Sequence, residues 1–235
     1  MSGITMHNAT HQSNQFISSG SLLYLDGKNY SGSGTSWVDL STNLNNGTLV
    51  GNPTFNGANN GYFTFNGSGS QYVNTTGSKF NVTYTGKTVL YAARLNSSAF
   101  TSGVSSYRCL FGSNGGSLRN WNTYIYHDAS NILYLHFSAG STGVISNPLS
   151  LSTNSWFVGA ITQTVSGIAT CYFNGQVVGS FSMSFSQWQN ISTESVALSD
   201  NFWYGDIAVC AIYGRTLSTN EINQNYYALR SRYGI

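Results

Sequence analysis

Short runs of β-formers, each closed by turn chemistry and spaced about 8–12 residues apart, limit this chain more than any other feature. GYFTFNG, KTVLYAARLN, YRCLFGS, NTYIYHDA, NILYLHFSA, SWFVGAITQ, IATCYFNG, QVVGSFSM and IAVCAIYG follow one another along the sequence. Val, Ile, Tyr, Phe and Thr dominate them, the residues that suit a pleated, half-buried surface. Phe63 and Phe65 alternate with polar neighbours, as in a strand with one buried face. KTVLYAARLN is nearly unbroken in its apolar character and predicts a central strand covered on both sides. Two hairpins are marked by their turns. One folds around Asp128–Asn131. The other folds around Asn174-Gly175, the dipeptide of a type I′ turn, which needs positive φ at both central residues. No repeat of 20–50 residues is visible. The pattern predicts an all-β sandwich or barrel.

A helix signal appears only at the C-terminal end. Ser218 is a predicted N-cap and Glu221 stands three residues on, which completes a capping box. Leu217 and Ile222 are placed as a hydrophobic staple. Ile222, Tyr226, Leu229 and Tyr233 fall on one stripe. Arg230 and Arg232 suit the negative end of the helix dipole, and Gly234 suits the stop. A short amphipathic helix of this kind must lie on the sandwich.

Charge narrows the partners. Only 7% of the 235 residues are charged and the net charge is +2, against about 25% charged in an average domain. With no basic stripe, nucleic acid is not an expected partner. No apolar run approaches the ~20 residues of a membrane helix. The opening MSGITMHNATHQSNQ has neither a basic nor an apolar signal region, so no secretory signal is expected. Residues 1–19 are polar and aperiodic and are expected to form an arm, either disordered or docking onto a neighbour; 20–235 form one domain. Cys109, Cys171 and Cys210 each sit in an apolar run, an odd number without metal spacing, and are expected to be buried free thiols. Eight Asn-x-Ser/Thr triplets, beginning at Asn8, Asn29, Asn46, Asn66, Asn74, Asn81, Asn96 and Asn190, are what a chain this rich in Asn, Ser and Thr generates by composition.

GDIAVCAIYGRTLSTNEINQNY resembles the closing signature of the concanavalin A-like lectin/glucanase superfamily in its laminin-G-like, pentraxin-like branch. SLLYLDGKNYSGSGTSWVDLSTNLNNGTLVGNPTF resembles the opening of such domains, FTFNGSGSQYV their next strand, and SWFVGAITQ with ATCYFNGQVVGS their central hairpin. The resemblance spans Ser21 to Ile235 and implies a two-sheet antiparallel jelly-roll sandwich with a terminal helix. The opening also resembles laminin-G-like proteins of phages and large DNA viruses. That implies a virion structural protein, as a capsid decoration, cement or fibre subunit, made in the host cytoplasm. Its partners would be a major capsid or fibre protein, host glycans, and further copies of itself as a homo-oligomer. A lectin-like adhesion module outside any virion is the alternative.

The superfamily's glucanases use paired acids on one strand, and retaining hydrolysis needs two carboxylates about 5–5.5 Å apart. Here no strand carries acids at i, i+2 or i, i+4, and the two glutamates are Glu194 and Glu221. An enzyme is therefore not expected. The family's usual cofactor is calcium, for which Asp26, Asp39 and Asp200 are the candidate ligands, against a plainer role in capping turns. Aromatics beside Asn and Gln are the remaining lever, because sugars lay their C–H faces on rings and bond amides through their hydroxyls. Trp121, Tyr124 and Tyr126 lie beside Asn120 and Asn122, and Trp188 lies between two glutamines; these four are the candidate ligand-binding residues. Trp203 and Tyr204 form a further aromatic pair, while Trp37 and Trp156 are expected in the core.

Overall fold

The computed structural model describes residues 15–76, 85–113, 122–139, 142–183, 193–196 and 202–235. In chain order the strands are β1 (Ser21–Asp26), β2 (Ser36–Trp37), β3 (Gly47–Val50), β4 (Thr54–Asn56), β5 (Tyr62–Asn66), β6 (Tyr72–Thr76), β7 (Gly86–Leu95) and β8 (Ser106–Ser113). They continue as β9 (Asn122–His127), β10 (Leu133–Ala139), β11 (Thr142–Ile145), β12 (Trp156–Thr164), β13 (Ile168–Phe173), β14 (Gln176–Ser182), β15 (Thr193–Val196) and β16 (Tyr204–Tyr213), and α1 (Thr219–Tyr233) follows. One sheet runs β14-β13-β12-β7-β16-β5-β4, with β1 also on β16; the other runs β11-β10-β9-β8-β15-β6-β3-β2. Among the described residues the strand pairings are antiparallel. The expected jelly-roll sandwich is what the chain forms.

Alternation along the strands builds two apolar layers. Val89, Tyr91, Ala93 and Leu95 of β7 point between the sheets, where they meet Phe63, Phe65, Phe111, Ile125, Leu135, Phe137 and Ile161. Leu90 and Ala92, the residues between them, point the other way into a second cluster with Val158, Ala160, Val209, Ala211 and Tyr213. The unbroken apolar run of β7 is thus covered on both faces. Its outer cover is α1, which contributes Ile222, Leu229 and Tyr233 to that second cluster along with Leu217 ahead of the helix. Each such side chain, fully buried, stabilises by about 1.5–3 kcal/mol.

The helix begins and ends where the sequence predicts. Ser218 Oγ accepts from the Glu221 amide and the Glu221 carboxylate accepts from the Ser218 amide. Gly234 closes it at φ 70°. Tyr226 of the expected stripe is only half-buried, and Asn225 takes the fully buried place instead. The reason is a polar triangle beneath the helix. Asn225 Oδ1 accepts from the Ile17 amide at 2.7 Å, its Nδ2 donates to Tyr213 Oη at 3.2 Å, and Tyr213 Oη donates to the Ile17 carbonyl at 2.6 Å. Phe16 stacks on Tyr24 with ring centroids 4.5 Å apart. The last residues of the expected arm therefore dock on this chain's own helix and first strand, and residues 1–14 lie outside the described residues.

At the Asn174-Gly175 turn both φ values are positive, 47° and 80°, and Phe173 pairs with Gln176, the predicted two-residue hairpin. The TSWVDL segment forms only the two-residue β2, with Asp39 making a lone bridge to Leu25.

Candidate functional site

Strands β8, β9 and β10 lie side by side, and their register writes an aromatic surface. Tyr107 pairs with Tyr126, and Tyr126 with Tyr134. One step along, Cys109 pairs with Tyr124, and Tyr124 with His136. Ile125, Leu135 and Phe137 face the inter-sheet core, so strict alternation sends the tyrosines and His136 to the outer face. Tyr107 and Tyr126 stack with centroids 4.6 Å apart at 27°. Tyr126 and Tyr134 are 5.8 Å apart, and Tyr107 meets Tyr124 and His136 edge-on at 5.6 and 5.2 Å. Tyr107, Tyr126 and Tyr134 stay partly exposed while Tyr124 is buried. Tyr134 Oη donates to Asp128 Oδ2 at 3.0 Å. The same carboxylate accepts from the Ser130 and Ile132 amides, which fixes the β9–β10 turn.

The face continues as a polar row. Asn122 pairs with Ser138 and Gly112, Gly112 with Ser195, and Ser195 with Asn74. Among the described residues, three polar atoms here are buried without a hydrogen-bond partner: Asn74 Oδ1, Asn122 Nδ2 and His136 Nδ1. An unsatisfied buried donor or acceptor costs about 1–3 kcal/mol, so this face holds hydrogen-bonding capacity that the fold leaves unused. Burial also pushes the His136 imidazole down to about 4, which keeps it neutral.

Of the four residues singled out from sequence, Tyr124 and Tyr126 stand on this face, and Trp121 and Trp188 lie outside the described residues. Sequence reasoning missed Tyr107, Tyr134 and His136. The signal was present: Tyr134-Leu135-His136 repeats the period of Tyr124-Ile125-Tyr126 on the partner strand. Trp37 is in the inter-sheet core as expected, and Trp203, read from sequence as half of an aromatic pair with Tyr204, is buried there too. Trp156 is buried on the other side of the first sheet, 4.6 Å from the Tyr233 ring and beneath the Arg94 guanidinium.

The acids are engaged structurally. Asp26 holds Arg232 by two hydrogen-bonding contacts of 2.7 and 2.9 Å, with side chains 6% and 9% exposed, and also accepts from the Lys28 amide and Tyr24 Oη. Asp39 accepts from the Tyr24, Ser41 and Asn45 amides and from Ser41 Oγ. Both carboxylates thus have turn-capping partners within the fold, and Asp26 an ion-pair partner as well, the plainer of the two roles considered for Asp26 and Asp39. Asp200 lies outside the described residues. Among the described residues no three His, Cys, Asp or Glu side chains come together. Asp206 is bound by Arg94 at 2.6 Å and by Thr64 Oγ1. Glu221 is bound by Arg215, which holds its carboxyl down at about 2. Cys109, Cys171 and Cys210 are buried and in no disulfide, and burial pushes Cys171 up to about 12.

The Laminin_G_3 family model, described as concanavalin A-like lectin/glucanases superfamily, matches residues 66–223. The chain belongs to this family. No curated protein matches it by sequence. Among solved structures it is similar to a botulinum neurotoxin type C structure whose study describes dependence on two ganglioside molecules (TM-score 0.67, 19% identity, 91% of this chain and 52% of that one). It is also similar to the binding domain of botulinum neurotoxin DC in complex with rat synaptotagmin II (0.68, 19%, 91% and 52%). A third is the receptor binding domain of botulinum neurotoxin type G (0.62, 17%, 88% and 51%). The laminin-G-like chain thus spans about half the length of these neighbours, and at such identities they share its fold.

Proposed function

We propose that the protein is a non-catalytic module that recognises neutral glycans through the outer face of its second sheet. The observation that carries this reading is the tyrosine ladder Tyr107–Tyr126–Tyr134, laid across three strands and partly exposed, with its first pair stacked and its second tilted. Rings with an apolar body and a hydroxyl tip suit ligands that are apolar on one face and wet at the edge. The polar row beside it supplies donors and acceptors for sugar hydroxyls. Neutrality follows from the residues present: Asp128 stands at one end, His136 is uncharged, and no Lys or Arg belongs to the ladder. Binding rather than cleavage is supported by the engagement of Asp26, Asp39, Asp128, Asp206 and Glu221, five of the chain's seven acids. The laminin-G-like family assignment and the receptor-binding neighbours point the same way. A glycan array tests it. Binding to neutral oligosaccharides that falls in a Tyr107→Ala/Tyr134→Ala double variant supports the reading; no binding at millimolar sugar overturns it.

A second reading concerns where the module works. We propose that it is displayed on a virion, as a decoration, cement or fibre subunit attached to a major capsid or fibre protein. The supporting observations are a chain with only 7% charged residues and three buried cysteines outside any disulfide, which suit assembly in a reducing cytoplasm. Mass spectrometry of purified particles should find it in many copies, and absence from particles removes the virion reading.

A further inference from the structure

Tyr126 and His127 are neighbours on β9 but face opposite ways. His127 turns toward the end of the sandwich, into a cleft of about 280 Å³ formed where the β7–β8 loop, the β9–β10 turn and the segment before β12 meet. Leu133 and Leu151 give it apolar walls, and Ser97, Ser102 and Thr153 give it hydroxyls. The imidazole is fixed in place. Its ring stacks on Phe100 at 4.8 Å and 7°, and the Arg108 guanidinium lies over the same Phe100 ring. His127 Nδ1 is 3.2 Å from the Val104 carbonyl. A carbonyl only accepts, so Nδ1 carries the proton that fixes this ring in the cleft wall. Asn131, in the left-handed region at φ 66°, accepts the Gly103 amide through Oδ1 at 2.9 Å and so ties the two loops together while its Nδ2 remains a donor.

We infer that this cleft is a second binding site, built for one neutral pyranose ring. Hydroxyls, an amide donor and an imidazole edge alternate with aliphatic wall, the pattern that matches a ring carrying hydroxyls at its edge and C–H bonds on its faces. Among the described residues no charged side chain lines it, which selects against acidic sugars, phosphates and amines. Its volume lies at the bottom of the ~300–1,000 Å³ range of ligand pockets, so it has room for one ring and not for a chain. Its hydrogen bonds come from loops tied down by Asn131 and His127, so the site is largely formed before the ligand arrives.

An NMR titration of the intact protein with glucose, galactose, mannose and N-acetylglucosamine tests this. At least one sugar should shift the amides of Ser97, Ser102, His127, Asn131 and Thr153 together. Thr153 is exposed, so Thr153→Trp fills the cleft without touching the core and should abolish the response. Ser102→Ala should weaken it about two- to tenfold, the worth of one hydrogen bond. The Tyr107→Ala/Tyr134→Ala variant should leave it intact, which separates this site from the tyrosine face. No shift of these amides with any of the four sugars, or a response that survives Thr153→Trp, overturns the inference.

Discussion

The two outer faces of the sandwich meet opposite fates. On the first sheet, β7, β12 and β16 are buried on both sides, because α1 and residues 15–19 lie across them. On the second sheet, Tyr107, Tyr126 and Tyr134 face outward and stay partly exposed, and no helix packs over them among the described residues. The same alternation rule made both. The outward positions of the first sheet are Leu90, Ala92, Val158, Ala160, Val209 and Ala211, small or aliphatic residues that pack beneath a helix. Those of the second are tyrosines, a histidine and asparagines, which carry hydrogen-bonding atoms that a helix would strand. The covered face is built for packing, and the tyrosine face is the one we propose for partners.

That contrast can be broken at several points, and the largest effects belong to the covered face. Removing one partner of the buried Asp26–Arg232 pair, as in Asp26→Ala, should destabilise by about 3–5 kcal/mol, since it leaves a buried charge uncompensated. Chemical denaturation would show it; an unchanged midpoint would mean that the helix is not latched to β1. Ile222→Ala should cost about 2–5 kcal/mol through the cavity it leaves under the helix, read as a drop in melting temperature. Ser218→Ala removes the N-cap and should cost about 0.5–2 kcal/mol. On the bare face Tyr134→Ala should change stability by no more than about 0.5 kcal/mol, as for surface positions generally, while glycan binding falls.

Acid should separate the faces as well. His136 binds its proton at about 4 in the folded protein against an ordinary 6.5. The unfolded chain therefore holds more protons between those values, and stability falls as pH drops from about 6.5 to about 4. Glu221, held at about 2 against an ordinary 4.5, adds its loss lower, as pH drops from about 4.5 to about 2. Stability measured against pH should lose the upper step in His136→Gln and the lower one in Glu221→Gln.

Much of the covered face was legible in the sequence. The unbroken run of β7 announced a strand buried twice, and Leu217, Ser218, Glu221 and Ile222 announced the helix that covers it, because those signals are local. What could not be read were contacts that depend on where distant segments meet. Arg232 reaches Asp26 across nearly the whole chain, and Asn225 is buried only because Tyr213 and Ile17 converge on it. The site was half legible for the same reason. Tyr124 and Tyr126 stand out within one strand, but Tyr107, Tyr134 and His136 join them only once the register of β8, β9 and β10 is known. Asp26 and Asp39, read as calcium candidates, showed their structural partners only in three dimensions.

Hydrogen exchange of the protein with and without a neutral oligosaccharide that it binds tests the account most directly. The proposal predicts slower exchange in residues 106–109, 124–127 and 133–136 and no change across α1. Protection confined to α1 and the first sheet, with the tyrosine strands unaffected, would contradict it.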